Sequence, residues 1–272
     1  MTGDAARFRE LVFPYLQHDP VLHTVLLTSV ESRTGADVVD EDPPTFASVH
    51  GDGGAVVAAA MHTRSHGIFL GGLQREYAGA VADAFAATSP DAATLEALTS
   101  TASVFVQRWQ TLLGVGVSKA GGTRLHLLRE LHGAAAAGGP RRGTEADVDL
   151  LTAWVDAFGR ELGMAGGISS AAVRGWTKTR RVWLWEDDGR PVSLAAHQLP
   201  CHGVTRIGPV YTPPEQRGHG YASALTAHIS AVQRGHGSQV CLFTELDNPT
   251  SNKIYAAIGF EPVADFARYS FR

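Results

Sequence analysis

The chain has 272 residues, of which 44% are hydrophobic and 18% charged, so it can bury a core and is not a disordered chain. Its net charge of −4, without a long basic run, argues against a nucleic-acid partner. No stretch approaches the roughly 18 apolar residues of a membrane-spanning helix. The only cysteines, Cys201 and Cys241, lack the CxxC spacing of a zinc site. We expect a soluble, cytoplasmic protein with no membrane partner and no metal.

The first half combines predicted helices with one strand-rich segment. An apolar stripe from Phe8 to Leu16 predicts a helix, which Pro14 interrupts and Asp19-Pro20 ends. A Ser89-Pro90 pair breaks a longer helical pattern. The predicted elements are helices over 8–16 and 20–28, strands within 46–73, helical structure over 76–113 and a strand at 123–128.

The strand-rich segment 46–73 resembles residues 182–209, at a constant offset of 182 − 46 = 136 residues. Eight positions are identical: Asp52/Asp188, Gly53/Gly189, Val56/Val192, Ala59/Ala195, Ala60/Ala196, His66/His202, Gly67/Gly203 and Gly72/Gly208. Asp-Gly and His-Gly turns between Val- and Ala-rich runs predict a three-strand antiparallel meander in each segment. Unrelated meanders also share turn glycines. Since 136 is half of 272, however, we interpret the match as an internal duplication.

The junction between the two halves is small and rich in glycine. Residues 134–143 offer few side chains for packing and predict a domain boundary. Thr144 and Asp147 then form a loose capping box, with Asp in place of Glu. Apolar residues from Leu150 to Leu162 recur every three or four positions and predict a helix over 144–163. We therefore predict two domains, 1–138 and 139–272.

The second half continues with a pattern that favours anion binding. Residues 204–212 are β-branched and aromatic, and Pro209 within them predicts an edge or a bulge. The turn Arg217-Gly218-His219-Gly220 opens a predicted helix, whose first N–H groups form a ready site for a phosphate. A strand over 239–246 and a short helix over 248–260, ending at Gly259, complete the pattern.

These residues resemble the GCN5-related N-acetyltransferase (GNAT) superfamily. The acetyl-CoA motif of that superfamily is matched by Arg217-x-x-Gly220-x-Ala222, and its next motif by Asn252, Tyr255, Gly259 and Phe260. The resemblance covers about residues 182–263. It implies an α/β (α+β) fold of two tandem GNAT-like domains, as in a bacterial subgroup, each a mixed, mainly antiparallel sheet flanked by helices. Residues 81–86, at the 136 offset from the motif, lack glycine and arginine, so the first domain is expected to be degenerate.

The resemblance also implies an acyltransferase that uses acetyl-CoA as co-substrate and acetylates an amine of a small molecule or peptide by direct attack on the thioester. Asn252 is expected to bind the pantetheine arm and Tyr255 to protonate the leaving thiolate. Glu245 is the first candidate base and His197 the second. The other expected cofactor contacts are Val210, Tyr211 and Thr212 for pantetheine, and Arg217, Gly218, His219, Gly220, Tyr221 and Ala222 for pyrophosphate.

Two other functions remain open from the sequence. The enzyme could transfer a longer acyl group, or transfer to a hydroxyl. Alternatively, the protein could be a sensor or structural protein that binds CoA without catalysis. The acceptor is not encoded in the recognisable motifs, and a tandem chain is compatible with a monomer or a homodimer.

Overall fold

The computed structural model describes residues 1–34, 43–163 and 168–272. Its contacts divide the chain into two compact units that are not contiguous in sequence. The first unit comprises Met1–Leu125, Thr244–Pro249 and Pro262–Arg272, and the second comprises His126–Phe243 and Thr250–Glu261. Each unit contains one copy of the predicted repeat. The predicted domain boundary between residues 138 and 139 remains a prediction.

Both units combine helices with strands. The helices are α1 (Ala5–Leu16), α2 (Thr24–Glu31), α3 (Ala78–Thr88), α4 (Thr99–Leu113), α5 (Val148–Glu161), α6 (Ser170–Lys178), α7 (Tyr221–Gly235) and α8 (Pro249–Ala257). The strands are β1 (Thr45–His50), β2 (Val56–Thr63), β3 (Gly67–Phe69), β4 (Thr94–Leu98), β5 (Val117–Leu128), β6 (Gly139–Arg142), β7 (Val182–Asp187), β8 (Arg190–His197), β9 (Val204–Tyr211), β10 (Gln239–Glu245) and β11 (Phe260–Phe271).

The sheet of the first unit has the strand order β1-β2-β3-β4-β11-β5. The strands β1, β2 and β3 pair antiparallel, which confirms the predicted meander. β3 pairs with β4 in parallel, and β11 pairs with β4 antiparallel. Phe85, Phe105 and Trp109 of α3 and α4 are fully buried in the core of this unit. The last strand of the chain therefore completes the sheet of the first unit.

The prediction of helical structure throughout 76–113 is wrong at Thr94–Leu98. These residues form β4, although Leu, Glu and Ala are good helix formers. Leu95 and Ala97 are completely buried, and β4 has a paired strand on both sides. Tertiary pairing thus overrides the local preference. The prediction that Pro14 interrupts the first helix is also wrong, because α1 includes it.

The turn before α3 is the structural counterpart of the turn before α7. The first residues of these helices are Ala78 and Tyr221, so the offset there is 221 − 78 = 143 rather than 136. Residues 81–86 lie inside α3, so they are not the counterpart of the turn that precedes α7. A 3-10 turn at Arg75–Tyr77 directly precedes α3. It contains an arginine but neither of the two glycines of the second unit.

The sheet of the second unit has the strand order β10-β9-β8-β7-β6. β9 and β10 are parallel, and the other neighbours are antiparallel. α5 and α6 cover one face through a cluster that includes Leu151, Val173 and Tyr211. The opposite face carries a cluster with Leu225 of α7 and Tyr255 of α8. The predicted fold class, a mixed and mainly antiparallel sheet flanked by helices in each unit, is confirmed.

The segment before α5 is more ordered than its composition predicts. Thr144 and Asp147 form the predicted capping box, and Asp147 also accepts two hydrogen bonds from Arg141, at 2.7 and 2.8 Å. Residues 139–142 form the edge strand β6, where Pro140 is tolerated. The Trp185 indole N–H donates to the Ala137 carbonyl at 2.6 Å. The expectation that residues 134–143 offer few side chains for packing is wrong, because Ala134 and Ala136 pack against the apolar cluster that contains Leu225.

Candidate functional site

The parallel pair β9 and β10 stops pairing partway along its length. The last residues in register are Ile207 and Leu242, while β9 continues to Tyr211 and β10 to Glu245. On its other side β9 contains one extra residue, since Ala195 pairs with Val210 and His197 with Ile207. This is the bulge predicted at Pro209. Within the described residues, the end of β9 therefore has backbone groups that are not used by β10.

The turn after β9 presents the N-terminus of a long helix. Gly220 is the residue before α7 and has φ +80, a left-handed conformation that favours glycine. Among the residues that the structure describes, no side chain caps this helix end. Gly218, His219 and Gly220 are exposed. The first N–H groups of α7 can therefore bind an anion at the positive end of the helix dipole.

The three residues predicted to bind pantetheine differ in their contacts. Val210 pairs with β8, and its side chain packs on the α7 face. The Tyr211 carbonyl accepts a hydrogen bond from the buried Ser193 hydroxyl at 3.1 Å. The Thr212 hydroxyl lies 2.9 Å from the same Ser193 oxygen. Ser193 thus holds the end of β9, a role that its position in a strand did not reveal.

The guanidinium of Arg217 is paired with a carboxylate in this structure. Its Nη2 lies 2.8 Å from both oxygens of Glu161, at the end of α5. Its Nε donates to the Thr212 carbonyl at 2.9 Å. Glu161 was not singled out from the sequence, because no local pattern links it to an arginine 56 residues later. The arginine of the motif is therefore anchored between the end of β9 and α5.

The remaining residues of the turn are held by stacking and a second carboxylate. The rings of His219 and Tyr221 stack with centroids 5.4 Å apart. The Tyr221 hydroxyl donates to Asp187 at the end of β7, and this hydrogen bond raises the pKa of Tyr221. Ala222 is half-buried in the first turn of α7. Tyr221 is therefore a neutral anchor of the turn.

Tyr255 and Asn252 lie on α8, in the same unit as the turn. Tyr255 is 8% exposed and contacts Phe260 edge to face, with ring centroids 6.0 Å apart. Burial raises the pKa of Tyr255 to about 12, and the Thr226 hydroxyl opposes this by a smaller amount. The phenol is therefore protonated at neutral pH. Asn252 is half-buried.

The two candidate bases are both bound to other side chains. Glu245 belongs to the first unit, where it accepts hydrogen bonds from Arg268 at 3.1 and 3.4 Å. His197 is buried in the second unit, and its ring nitrogens lie 2.9 Å from the Gln198 carbonyl and 3.3 Å from Gln233. Burial lowers the pKa of His197. Its contacts are those of a structural histidine.

The described ranges show no candidate metal cluster and no candidate membrane-spanning helix. They contain no group of three or more His, Cys, Asp or Glu side chains that could hold a metal ion. Within the same ranges, no helix combines the length and apolar character needed to cross a membrane.

Comparisons with known proteins support the fold. Residues 187–269 match the model of the family described as FR47-like protein. No curated protein matches the chain. Solved structures that cover nearly all of it include a Drosophila protein (12% identity, 99% of this chain and 97% of that one, TM-score 0.71), a GCN5-related N-acetyltransferase from Sphaerobacter thermophilus (16%, 98% and 91%, 0.59), and a tandem GNAT protein from the clavulanic acid biosynthesis pathway (14%, 98% and 96%, 0.59).

Proposed function

Because the chain has the fold of the GCN5-related N-acetyltransferase superfamily, we propose that its second unit binds acetyl-CoA and acetylates an amine of a small molecule or peptide. The observation that carries the proposal is the separation of β9 from β10 after Ile207 and Leu242, next to the uncapped start of α7. An extended pantetheine arm could add to the free edge of β9 as a further strand. The pyrophosphate would then meet the N–H groups that follow Gly220.

In this proposal each predicted residue has a defined task. The backbone of Val210, Tyr211 and Thr212 binds the pantetheine arm, with Asn252 as a further contact. The turn from Arg217 to Ala222 binds pyrophosphate chiefly through backbone N–H groups, since the Arg217 charge is already paired. The acceptor nitrogen attacks the thioester carbonyl, the C–S bond breaks, and the thiolate leaves with a hydrogen bond from Tyr255.

The acceptor amine must also lose a proton. With a pKa of about 10.4, an alkylamine at pH 7 costs roughly 4.6 kcal/mol to deprotonate. Glu245 remains the proposed base. The Glu245 carboxylate already accepts two hydrogen bonds from Arg268. It must therefore take up the proton of the amine while it is paired with that guanidinium.

The first test is a calorimetric titration of the whole chain with acetyl-CoA. We expect one site per chain with micromolar affinity, because the first unit lacks the two turn glycines. Release of free thiol in the presence of a panel of primary amines then tests transfer. Failure of acetyl-CoA to bind would contradict the proposal, and two sites would contradict the assignment to the second unit alone.

A second candidate is a protein that binds CoA without turnover. It is favoured by the ion pairs of Glu245 and Arg217 and by the enclosure of Tyr255 in an apolar cluster. Binding of acetyl-CoA without thiol release across the amine panel would support this candidate over the enzyme.

A further inference from the structure

Two neighbouring arginines of β6, in the second unit, differ in their charge partners. Side chains alternate along a strand, so Arg141 and Arg142 lie on opposite faces of the sheet. Arg141 contacts Asp147 at 2.7 Å and Glu186 at 2.6 Å. The Arg142 guanidinium instead stacks on the Trp183 ring, with its carbon 3.6 Å from the ring centre. In the part of the chain that the structure describes, no carboxylate forms an ion pair with Arg142.

Two further arginines without a carboxylate partner lie beside Arg142. Arg142 donates a hydrogen bond to the Arg180 carbonyl, and burial together with the charge of Arg180 lowers the pKa of Arg142. Arg181 donates to the Thr179 hydroxyl at 2.8 Å and to the Gln198 side chain at 3.4 Å. Burial lowers the pKa of Arg181 as well. Neutral oxygens therefore accept the hydrogen bonds of Arg142 and Arg181, and no described carboxylate balances the three charges.

The C-terminal end of α7 adds a histidine to this group. The backbone N–H of His197 donates to the Arg181 carbonyl at 3.0 Å, and its ring Nε2 lies 3.3 Å from the Gln233 side chain of α7. His236 follows α7 directly and is exposed. Burial lowers the pKa of His197, and the charges of Arg142, Arg181 and His236 act in the same direction. The four basic side chains that surround His197 are called the basic cluster: Arg142, Arg180, Arg181 and His236.

Partly buried charges of one sign are unfavourable unless a counter-charge neutralises them. The planar N–H groups of a guanidinium fit the oxygens of a phosphate. We propose that the basic cluster binds a phosphate group, either inorganic phosphate or the phosphate of a monoester. The 15 residues of α7, at about 1.5 Å each, place this end of the helix about 22 Å from the turn proposed for pyrophosphate. The basic cluster is thus a second anion site, and it does not depend on acetyl-CoA binding.

The first test is a calorimetric titration of the whole chain with inorganic phosphate. We expect binding with a Kd of about 1 mM or lower. Arg142→Gln and Arg180→Gln should each weaken it roughly tenfold, because each removes a charged hydrogen-bond donor. Arg180→Gln changes an exposed side chain and keeps the carbonyl that holds Arg142, so it tests the cluster even if Arg142→Gln is unstable. Arg160→Gln on α5 removes the same charge elsewhere in the second unit and should stay within about twofold.

The second test locates the phosphate by the ¹⁵N NMR signals of two indole N–H groups. Phosphate should shift the signal of Trp183, which Trp183→Phe assigns, because Arg142 stacks on that ring. Trp185 on the same strand donates to the Ala137 carbonyl, and its signal should not move. Shifts confined to indole signals other than that of Trp183 would overturn the proposal. An unchanged Kd in Arg180→Gln, an equal loss in Arg160→Gln, or no binding at about 10 mM phosphate would overturn it too.

Two further arms identify the source of the phosphate and separate the two anion sites. A Kd for glycerol 3-phosphate similar to that for inorganic phosphate would support recognition of the phosphate group alone, and roughly tenfold tighter binding would support a monoester. Saturating CoA should leave the Kd for phosphate within about twofold of its value in the free protein. Loss of phosphate binding with CoA would show that phosphate occupies the turn before α7 and overturn the second site. Should CoA itself not bind, the proposed function fails, while the variants still test the basic cluster.

Discussion

The replacement Tyr255→Phe tests how this protein would stabilise a leaving thiolate. It removes one hydroxyl from the second unit and keeps the ring that contacts Phe260 at 6.0 Å. The ring belongs to an apolar cluster that also contains Leu225 and Ile258. The fold should therefore tolerate the change, and the effect should appear in the rate.

The raised pKa of Tyr255 sets the size of that effect. A phenol with a pKa of about 12 is fully protonated at neutral pH. Full transfer of its proton to a thiolate with a pKa of about 8.5 would be uphill by about 3.5 pKa units, or roughly 5 kcal/mol. Tyr255 should therefore act as a hydrogen-bond donor to the thiolate, which is worth about 1.5–3 kcal/mol. We expect kcat to fall roughly 10- to 100-fold.

The assay is thiol release from acetyl-CoA with the best amine of the panel, from about pH 6 to 9. The Kd for CoA should stay within about twofold of wild type, and Tyr269→Phe on β11 serves as the control substitution. A loss beyond about 1,000-fold, together with a new limb in the pH profile, would show full proton transfer and refute the argument. An unchanged kcat would show that Tyr255 does not contact the thiolate.

Three further predictions concern stability. A Cβ at Gly259 would lie 1.5 Å from the Glu130 carbonyl oxygen, so Gly259→Ala should lower the free energy of unfolding in urea by more than about 3 kcal/mol. At Gly218 a Cβ would meet open space, so the control Gly218→Ala should lower it by about 1 kcal/mol. The hydrogen bond from Arg141 lowers the pKa of Asp147 to about 2, so the ionised Asp147 stabilises the fold above about pH 4 and this contribution is lost towards pH 2. In Asp147→Asn, the free energy of unfolding should therefore change less between pH 4 and pH 2. Burial lowers the pKa of His23 to about 4, so stability should fall from about pH 6.5 to pH 4, and an equal slope in His23→Gln would contradict this.

The sequence alone was sufficient for features that depend on near neighbours in the chain. The two meanders were predictable because alternating apolar residues and Asp-Gly or His-Gly turns act over a few positions. The capping box at Thr144 and Asp147 and the bulge near Pro209 were predictable for the same reason. The motif from Arg217 to Ala222 indicated a helix start that could bind an anion, and α7 begins there at Tyr221.

The tertiary structure decided what depends on partners far away in the sequence. Thr94–Leu98 is a strand because β3 and β11 pair with it, although its residues favour helix. The pairing of Arg217 with Glu161 and of Glu245 with Arg268 joins residues 56 and 23 positions apart. Local periodicity carries no information about such pairs, because they are brought together by the packing of elements that are distant in the sequence. The residue types of the site were thus predictable, but their charge partners were not.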